Sequence, residues 1–340
     1  MQNLYKKLKP FFAVVFLQAG LAGKDLFSKA ALNEGMSNYV FVVYRNVVAT
    51  VIISPFAIAL DRETRPTMTT HIFFKILLLS LLEPIIGQNL YLLGMKNTTA
   101  TFATAMSNVL PAITFVIACF LRLEKVKIMS IRSQAKIIGT LTSVAGAMVM
   151  SLVTGPNIDL PWTRHGANHA HYQTKVNPQH TIKGAIMITV GCLGWACFMI
   201  LQAVTLQTYP AELSLTAWIC LLATVEGAAL ALVMEKGNPV AWAIQWDIKF
   251  FAAVYSGMFC SGIAYYVQGV VMKERGPVFV TAFSPLSMII VAILSSFIMS
   301  EQMYLGRVVG AFIIVVGLYF VVWGKKKEHE SPAIQEEEIP

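Results

Sequence analysis

The sequence predicts an all-α integral membrane protein of ten transmembrane helices, arranged as two inverted five-helix repeats. Three observations predict it. Of the 340 residues, 56% are hydrophobic and 13% charged, with a mean hydropathy of +0.64, whereas soluble domains carry about 25% charge. The apolar residues fall in separated runs of roughly 20, the length that crosses a hydrocarbon core of ~30 Å as helix. Glycines, tyrosines and prolines recur at near-constant offsets, which marks two related halves.

The first span covers residues 10–32. Lys6, Lys7 and Lys9 ahead of an apolar stretch also resemble a cleaved signal peptide. Against that, Gly20-Leu-Ala-Gly23 recurs as Gly191-Cys-Leu-Gly194, 171 residues later, and loss of the first helix would break the symmetry. The second span, 38–60, contains Arg45, and the third, 72–95, contains Glu83-Pro84, where the proline frees a carbonyl and favours a kink. The fourth, 99–121, contains Pro111, and the fifth, 134–153, has Gly139 and Gly146 as close-packing positions. Spans 182–206, 212–234, 248–272, 278–299 and 304–323 repeat this order. Tyr91 and Pro111 are 20 apart, as are Tyr265 and Pro285, and Gly310 and Gly317 follow Gly139 and Gly146 by 171. Runs this long and continuously apolar do not fit the alternating ~10-residue strands of a membrane barrel.

The halves are therefore residues 1–153 and 182–324, joined by an extracytoplasmic loop at 154–181. A tail at 325–340, three lysines followed by an acidic run, is too polar to pack and is expected to be a disordered cytoplasmic extension. An odd number of helices per half turns the second half upside down relative to the first. Charge supports this. Of the 26 Lys and Arg, Lys24, Lys29 and Arg45 lie within spans, seven (Lys96, Arg164, Lys175, Lys183, Lys236, Lys249, Arg307) fall outside, and the remaining sixteen are cytoplasmic if the N-terminus is inside. That bias predicts both termini in the cytoplasm.

The net charge of +8 is spread through short gaps between apolar runs and so argues for membrane topology rather than a nucleic-acid face. The five cysteines all sit in apolar segments, without CxxC spacing, as packing residues. His165, His169, His171 and His180 lie in a Gly/Asn/Pro-containing loop that offers no rigid metal site. Asn97-Thr98-Thr99 is a glycosylation sequon pressed between two helix ends. No phosphate-binding loop, nucleophile elbow or HExxH is present, so no catalytic residue, cofactor or metal is expected and an enzyme is disfavoured.

Charges inside spans cost roughly 2.5 to 3.5 kcal/mol each on insertion scales, so each needs a reason. Asp25 and Lys29 are one helical turn apart and either neutralise each other or meet a charged solute. Arg45 lies roughly 10 Å into its span at 1.5 Å per residue and either snorkels outward or pairs with another span. Glu83 and Glu226 are each a neutral buried acid, an acid placed toward the cytoplasmic side, or a proton-coupling site. Polar and aromatic residues beside helix breakers occupy corresponding places in both halves: Gln88, Asn89 and Tyr91 with Asn108, then Tyr265 and Gln268 with Ser284. An inverted-repeat carrier binds its solute at the midplane, where broken helices turn backbone dipoles toward a cavity. The expected solute-lining set is Gln18, Asn89, Asn108, Trp195, Gln202, Tyr265, Gln268 and Ser284. An aromatic ring there holds an ammonium and amides hold a carboxylate; the alternative is interhelical hydrogen bonding and packing.

Several motifs carry a resemblance: Lys29-Ala-Ala-Leu32, Tyr44-Arg45-Asn46, Gln88-Asn89-Leu-Tyr91, Asn108 to Phe115, Gly276-Pro-Val-Phe279, Tyr304-Leu-Gly-Arg307 and Gly317-Leu-Tyr-Phe320. In order and spacing the chain resembles the plant nodulin-type EamA transporters, the UMAMIT or Walls-Are-Thin-related group of the drug/metabolite transporter superfamily. The resemblance implies two EamA repeats and passive or gradient-driven movement of amino acids, often as export, with auxin or another small organic acid as the alternative solute. It implies a small-molecule solute and the lipid bilayer as partners, and the plasma membrane rather than the vacuole. A scaffold or receptor that moves no solute has no need of two related half-sites. Three departures from the family pattern stand out: Gly87 takes a place where an acid is expected, Lys24 is not expected at its position, and the second half has no arginine corresponding to Arg45.

Overall fold

A computed structural model describes residues 2–62, 65–97, 108–121, 123, 130–153, 155–158, 178–243, 246–298 and 303–336. Apart from short 3-10 and turn segments and one two-residue antiparallel bridge, Asn157–Ile158 with Met303–Tyr304, these residues are helical. The helices are α1 Gln2–Asn33, α2 Asn38–Leu60, α3 Thr70–Ser80, α4 Gln88–Asn97, α5 Leu110–Phe120, α6 Ile131–Leu152, α7 Pro178–Thr208, α8 Glu212–Met234, α9 Ile248–Ser256, α10 Tyr265–Arg275, α11 Pro277–Ala282, α12 Ser284–Ile298 and α13 Leu305–Glu336. Two π-helical segments, Leu81–Gly87 and Gly257–Ala264, join α3 to α4 and α9 to α10.

Among the described residues, eight helical stretches are long and apolar enough to cross a bilayer: Asn38–Leu60, Thr70–Gly94, Ser133–Leu152, Ile182–Thr208, Glu212–Met234, Ile248–Arg275, Pro277–Leu294 and Leu305–Gly324. The expected ten are thus met by eight. The fourth span appears as the shorter Leu110–Phe120, because residues 99–107 lie outside the described set. The first, α1, is helical throughout its predicted range but carries Lys24, Asp25 and Lys29 near its end and is not among the eight. The loop histidines His165, His169 and His171 and most of the sequon also lie outside the described residues. Helix α13 runs on past Lys325 to Glu336, where the sequence reading places a disordered tail; Lys and Glu are good helix formers and prolong a helix already begun.

Lipid-type burial is inverted relative to a soluble protein. Phe12, Phe74 and Phe312 are exposed, whereas Arg45, Asn46, Glu83 and Gln202 are buried. In a bilayer that is the stable arrangement, since polar groups find partners only inside the protein.

The chain forms two compact units, and each takes helices from both sequence halves. In the first unit, residues 1–99 with 176–275, α2 packs along α8, α1 along α9 and α10 with the π segment between them, and α7 along α3 and α4 with theirs. Every one of these pairings joins a helix of one half to a helix of the other. Asp61 at the end of α2 accepts the Ser214 backbone N–H at 2.7 Å, capping the first turn of α8, and Arg65 Nε donates to Ser214 Oγ at 3.2 Å.

In the second unit, residues 100–175 with 276–340, α6 packs along α13. Glycine makes this possible. A Cβ on Gly139 would lie 2.6 Å from Gly317 O, and one on Gly310 2.7 Å from Gly146 O, so the four glycines predicted as close-packing positions face each other across this pair. Pro111 and Pro285 each stand second in their helices, α5 and α12, after turns at Asn108–Val109 and at Phe283. Lacking an N–H, proline is tolerated in a first helical turn and breaks the helix behind it.

Candidate functional site

The first unit holds a narrow cleft of about 240 Å³ including its open mouth, with clear space for roughly one water between the side chains. Its walls come from both sequence halves: Lys24, Arg45, Glu83 and Gln88 from the first, Trp195, Tyr265 and Gln268 from the second.

Two π segments build it. Pro84 removes one helical N–H, and the ladder recovers by widening to the i→i+5 pattern, an arrangement frequent at functional sites. The widened turn places Glu83 inside, fully buried. The second π segment contains no proline but begins at Gly257. A Cβ there would lie 2.4 Å from the Arg45 carbonyl oxygen and 2.8 Å from Val48 Cβ, so the glycine lets α2 lie directly against it. That contact sets Arg45 opposite Ser261 and Tyr265. On the other wall, a Cβ on Gly191 would come 3.0 Å from Gly87 O, and one on Gly194 3.2 Å from Leu82 O. Gly191 and Gly194 thus let α7 cross the first π segment closely, the crossing that brings Trp195 to the cleft.

Arg45 does not snorkel. It is 1% exposed, its Nε donates to Ser261 Oγ at 2.7 Å, and its Nη2 donates to the Tyr265 hydroxyl at 3.4 Å and stands 3.8 Å from Glu83 Oε1. The Gln88 amide also donates to Glu83 Oε1. Among the described residues, Glu83 Oε2 and Trp195 Nε1 are buried without a hydrogen-bond partner, a costly state inside a protein unless a ligand or water completes it. Glu226 lies elsewhere, accepting from Ser80 Oγ at 3.0 Å.

The predicted lining residues divide into three groups. Trp195, Tyr265 and Gln268 meet at the cleft. Gln18, Asn89 and Gln202 are buried in the same unit but do not line it. Asn89 Nδ2 donates to Ile85 O at 2.8 Å, holding the π segment. Gln202 Nε2 donates to Tyr265 O at 3.2 Å and its Oε1 accepts from Gln268 Nε2 at 2.8 Å, tying α7 to α10. Asn108 and Ser284 belong to the second unit, where Asn108 Nδ2 reaches Met288 Sδ at 2.6 Å and Ser284 O accepts from Ser287 Oγ at 2.8 Å. The sequence reading omitted Arg45, Glu83, Gln88 and Lys24 from the set. The signal for Arg45, Glu83 and Lys24 was the cost of a charge in an apolar span, and for Gln88 its polar character beside a helix breaker, but nothing in the sequence shows that Arg45 and Glu83, on different helices, meet.

Residues 8–152 and 182–323 match the EamA-like transporter family. Two WAT1-related proteins of Arabidopsis thaliana are similar along nearly the whole chain. One is 64% identical over 97% of this chain and 86% of its own length; the other is 56% identical over 98% and 90%. A solved crystal structure superposes with a TM-score of 0.69 at 13% identity, covering 93% of this chain and 96% of its own, a likeness of fold alone. With its two matched segments, its membrane helices and its relatives, this multi-pass membrane protein belongs to the EamA-like transporter family, in the plant nodulin-type, WAT1-related group.

Proposed function

We propose that the protein moves amino acids across the membrane by alternating access, as a facilitator or exporter, with the solute held in the cleft of the first unit. The observation that carries this reading is the pairing of a buried guanidinium and a buried carboxylate in one cleft, beside amides, a tyrosine and an indole. These are the groups that bind both ends of an amino acid. The buried Glu83 Oε2 and Trp195 Nε1 are, respectively, an acceptor and a donor without partners among the described residues. The closed width of the cleft fits a carrier that must open to load, since an amino acid is far larger than the roughly one water it now admits. In this reading ten spans form two inverted repeats, residues 1–153 and 182–324, with both termini cytoplasmic and the plasma membrane as the site of action. The sixteen-to-seven bias of basic residues supports that orientation.

A second reading, transport of auxin or another small organic acid, is favoured by one observation: two cations, Lys24 and Arg45, line the cleft against a single carboxylate. Proteoliposomes loaded with a labelled amino-acid panel or with indole-3-acetate decide between the two, with and without a pH gradient. Amino-acid efflux above that of empty vesicles is expected. Efflux of indole-3-acetate alone replaces the first reading with the second, and efflux of neither removes both.

A further inference from the structure

Arg45 and Glu83 are opposite charges, both almost wholly shut off from solvent, yet they are loosely joined. Their nearest atoms are 3.8 Å apart, beyond hydrogen-bond reach. The close partner of the guanidinium is the Ser261 hydroxyl, and among the described residues its Nη2 end has two long contacts, to Tyr265 and Glu83. Glu83 takes the Gln88 amide on one oxygen and, among the described residues, no hydrogen bond on the other. Trp195 brings an unused N–H to the same cleft. Stable buried ion pairs close such gaps with direct, often bidentate hydrogen bonds.

We infer that an α-amino acid enters by splitting this pair, its carboxylate going to Arg45 Nη2 and Trp195 Nε1 and its ammonium to Glu83 Oε2. Glu83 is then a specificity-determining residue that admits zwitterions and turns away plain organic acids. The reason is charge balance. Arg45 and Glu83 form one pair in the closed cleft; with a zwitterion bound each of the two has its own counter-charge, and the second cation of the cleft, Lys24, is present in both states. A simple carboxylate satisfies Arg45 but leaves Glu83 buried with a single amide donor, and a simple amine leaves Arg45 in the corresponding state. Removing one partner of a buried pair is the unfavourable case, whereas exchanging it for another is not. The inference rests on the amino-acid reading and adds to it how the cleft tells an amino acid from an acid or an amine.

The test uses three solutes that share one side chain: leucine, 4-methylpentanoate, which lacks the amino group, and 3-methylbutylamine, which lacks the carboxylate. Purified full-length protein in proteoliposomes is assayed by leucine counterflow. Neither truncated solute, at tenfold excess, is expected to halve the leucine rate. In Glu83→Gln the counterflow ratio of 4-methylpentanoate to leucine is expected to rise at least tenfold, and Glu83→Asp is expected to restore the wild-type ratio. Ratios cancel differences in expression and folding. If Lys24 balances Glu83 when an acid binds, 4-methylpentanoate competes as well as leucine in the wild type, and the inference is overturned. An unchanged ratio in Glu83→Gln also overturns it. Should that variant move neither solute, the wild-type competition decides by itself. Absence of leucine, glutamine and alanine counterflow in the wild type sinks the amino-acid reading itself, an outcome distinct from leucine transport without discrimination.

Discussion

Replacing Arg45 by methionine leaves Glu83 buried with Gln88 as its one remaining donor. At the 3.8 Å separation of the pair, the lost attraction is about 4 kcal/mol at an effective dielectric constant of ~20. This agrees with the roughly 3–5 kcal/mol measured when one partner of a buried pair is removed. Glu83→Leu loses the same attraction but leaves the guanidinium its hydrogen bonds to Ser261 and Tyr265, so it should cost about 2 kcal/mol less than Arg45→Met, a hydrogen bond to a charged group being of that size. The double variant Arg45→Met/Glu83→Leu buries no charge and should be more stable than Arg45→Met by about 1–4 kcal/mol, while remaining inactive in transport. Unfolding free energies measured by denaturant titration in detergent micelles, alongside counterflow in proteoliposomes, complete the cycle. An Arg45→Met loss below 1 kcal/mol, or a double variant no more stable than Arg45→Met, would refute the account of the pair as mutually compensating buried charges. A double variant that still transports would show the pair to be structural only.

Three further changes test other parts of the structure. Gly317→Leu places a Cβ 2.5 Å from the Ser143 backbone nitrogen and 2.7 Å from Gly139 O, so α6 and α13 must separate. A loss of about 1–3 kcal/mol is expected, against about 0.5 kcal/mol or less for Phe312→Leu, an exposed apolar position. Asp61→Ala removes the cap on the Ser214 N–H and should cost about 1 kcal/mol, with faster hydrogen exchange confined to the first turn of α8. Trp195→Phe keeps a ring but removes an N–H that has no protein partner. Stability should hold while the half-saturation concentration for leucine rises about two- to tenfold, the worth of one hydrogen bond; an unchanged value would place the indole outside the solute's reach.

Much of the architecture was legible because the bilayer reduces the problem to length and polarity. A run such as 212–234 reads as a span from apolar length, and the structure begins and ends α8 at those residues. Pro111 and Pro285 marked the starts of two helices, α5 and α12, because proline's missing N–H acts locally. The glycines repeated at an offset of 171 became one helix contact, Gly139 against Gly317 and Gly146 against Gly310, since absence of a Cβ has few uses inside a long helix other than close approach. The span count was harder to read at α1, where an apolar stretch merges into charged residues.

The candidate site was legible only in part. Trp195, Tyr265 and Gln268 followed from polar and aromatic character beside helix breakers, a property of each segment. Gln202 and Asn89 share that character but are used to tie α7 to α10 and to brace a π segment, and composition does not distinguish a side chain that binds solute from one that binds a neighbouring helix. The repeat and the membrane spans are written in periodicity and apolar length, which act within about 20 residues along the chain. The meeting of Arg45 with Glu83 is decided by how α2 lies against two π segments from opposite halves, through Gly257 and its contact with the Arg45 carbonyl. Distance along the chain carries no information about that approach, so only the tertiary structure reveals that two separately costly charges compensate each other.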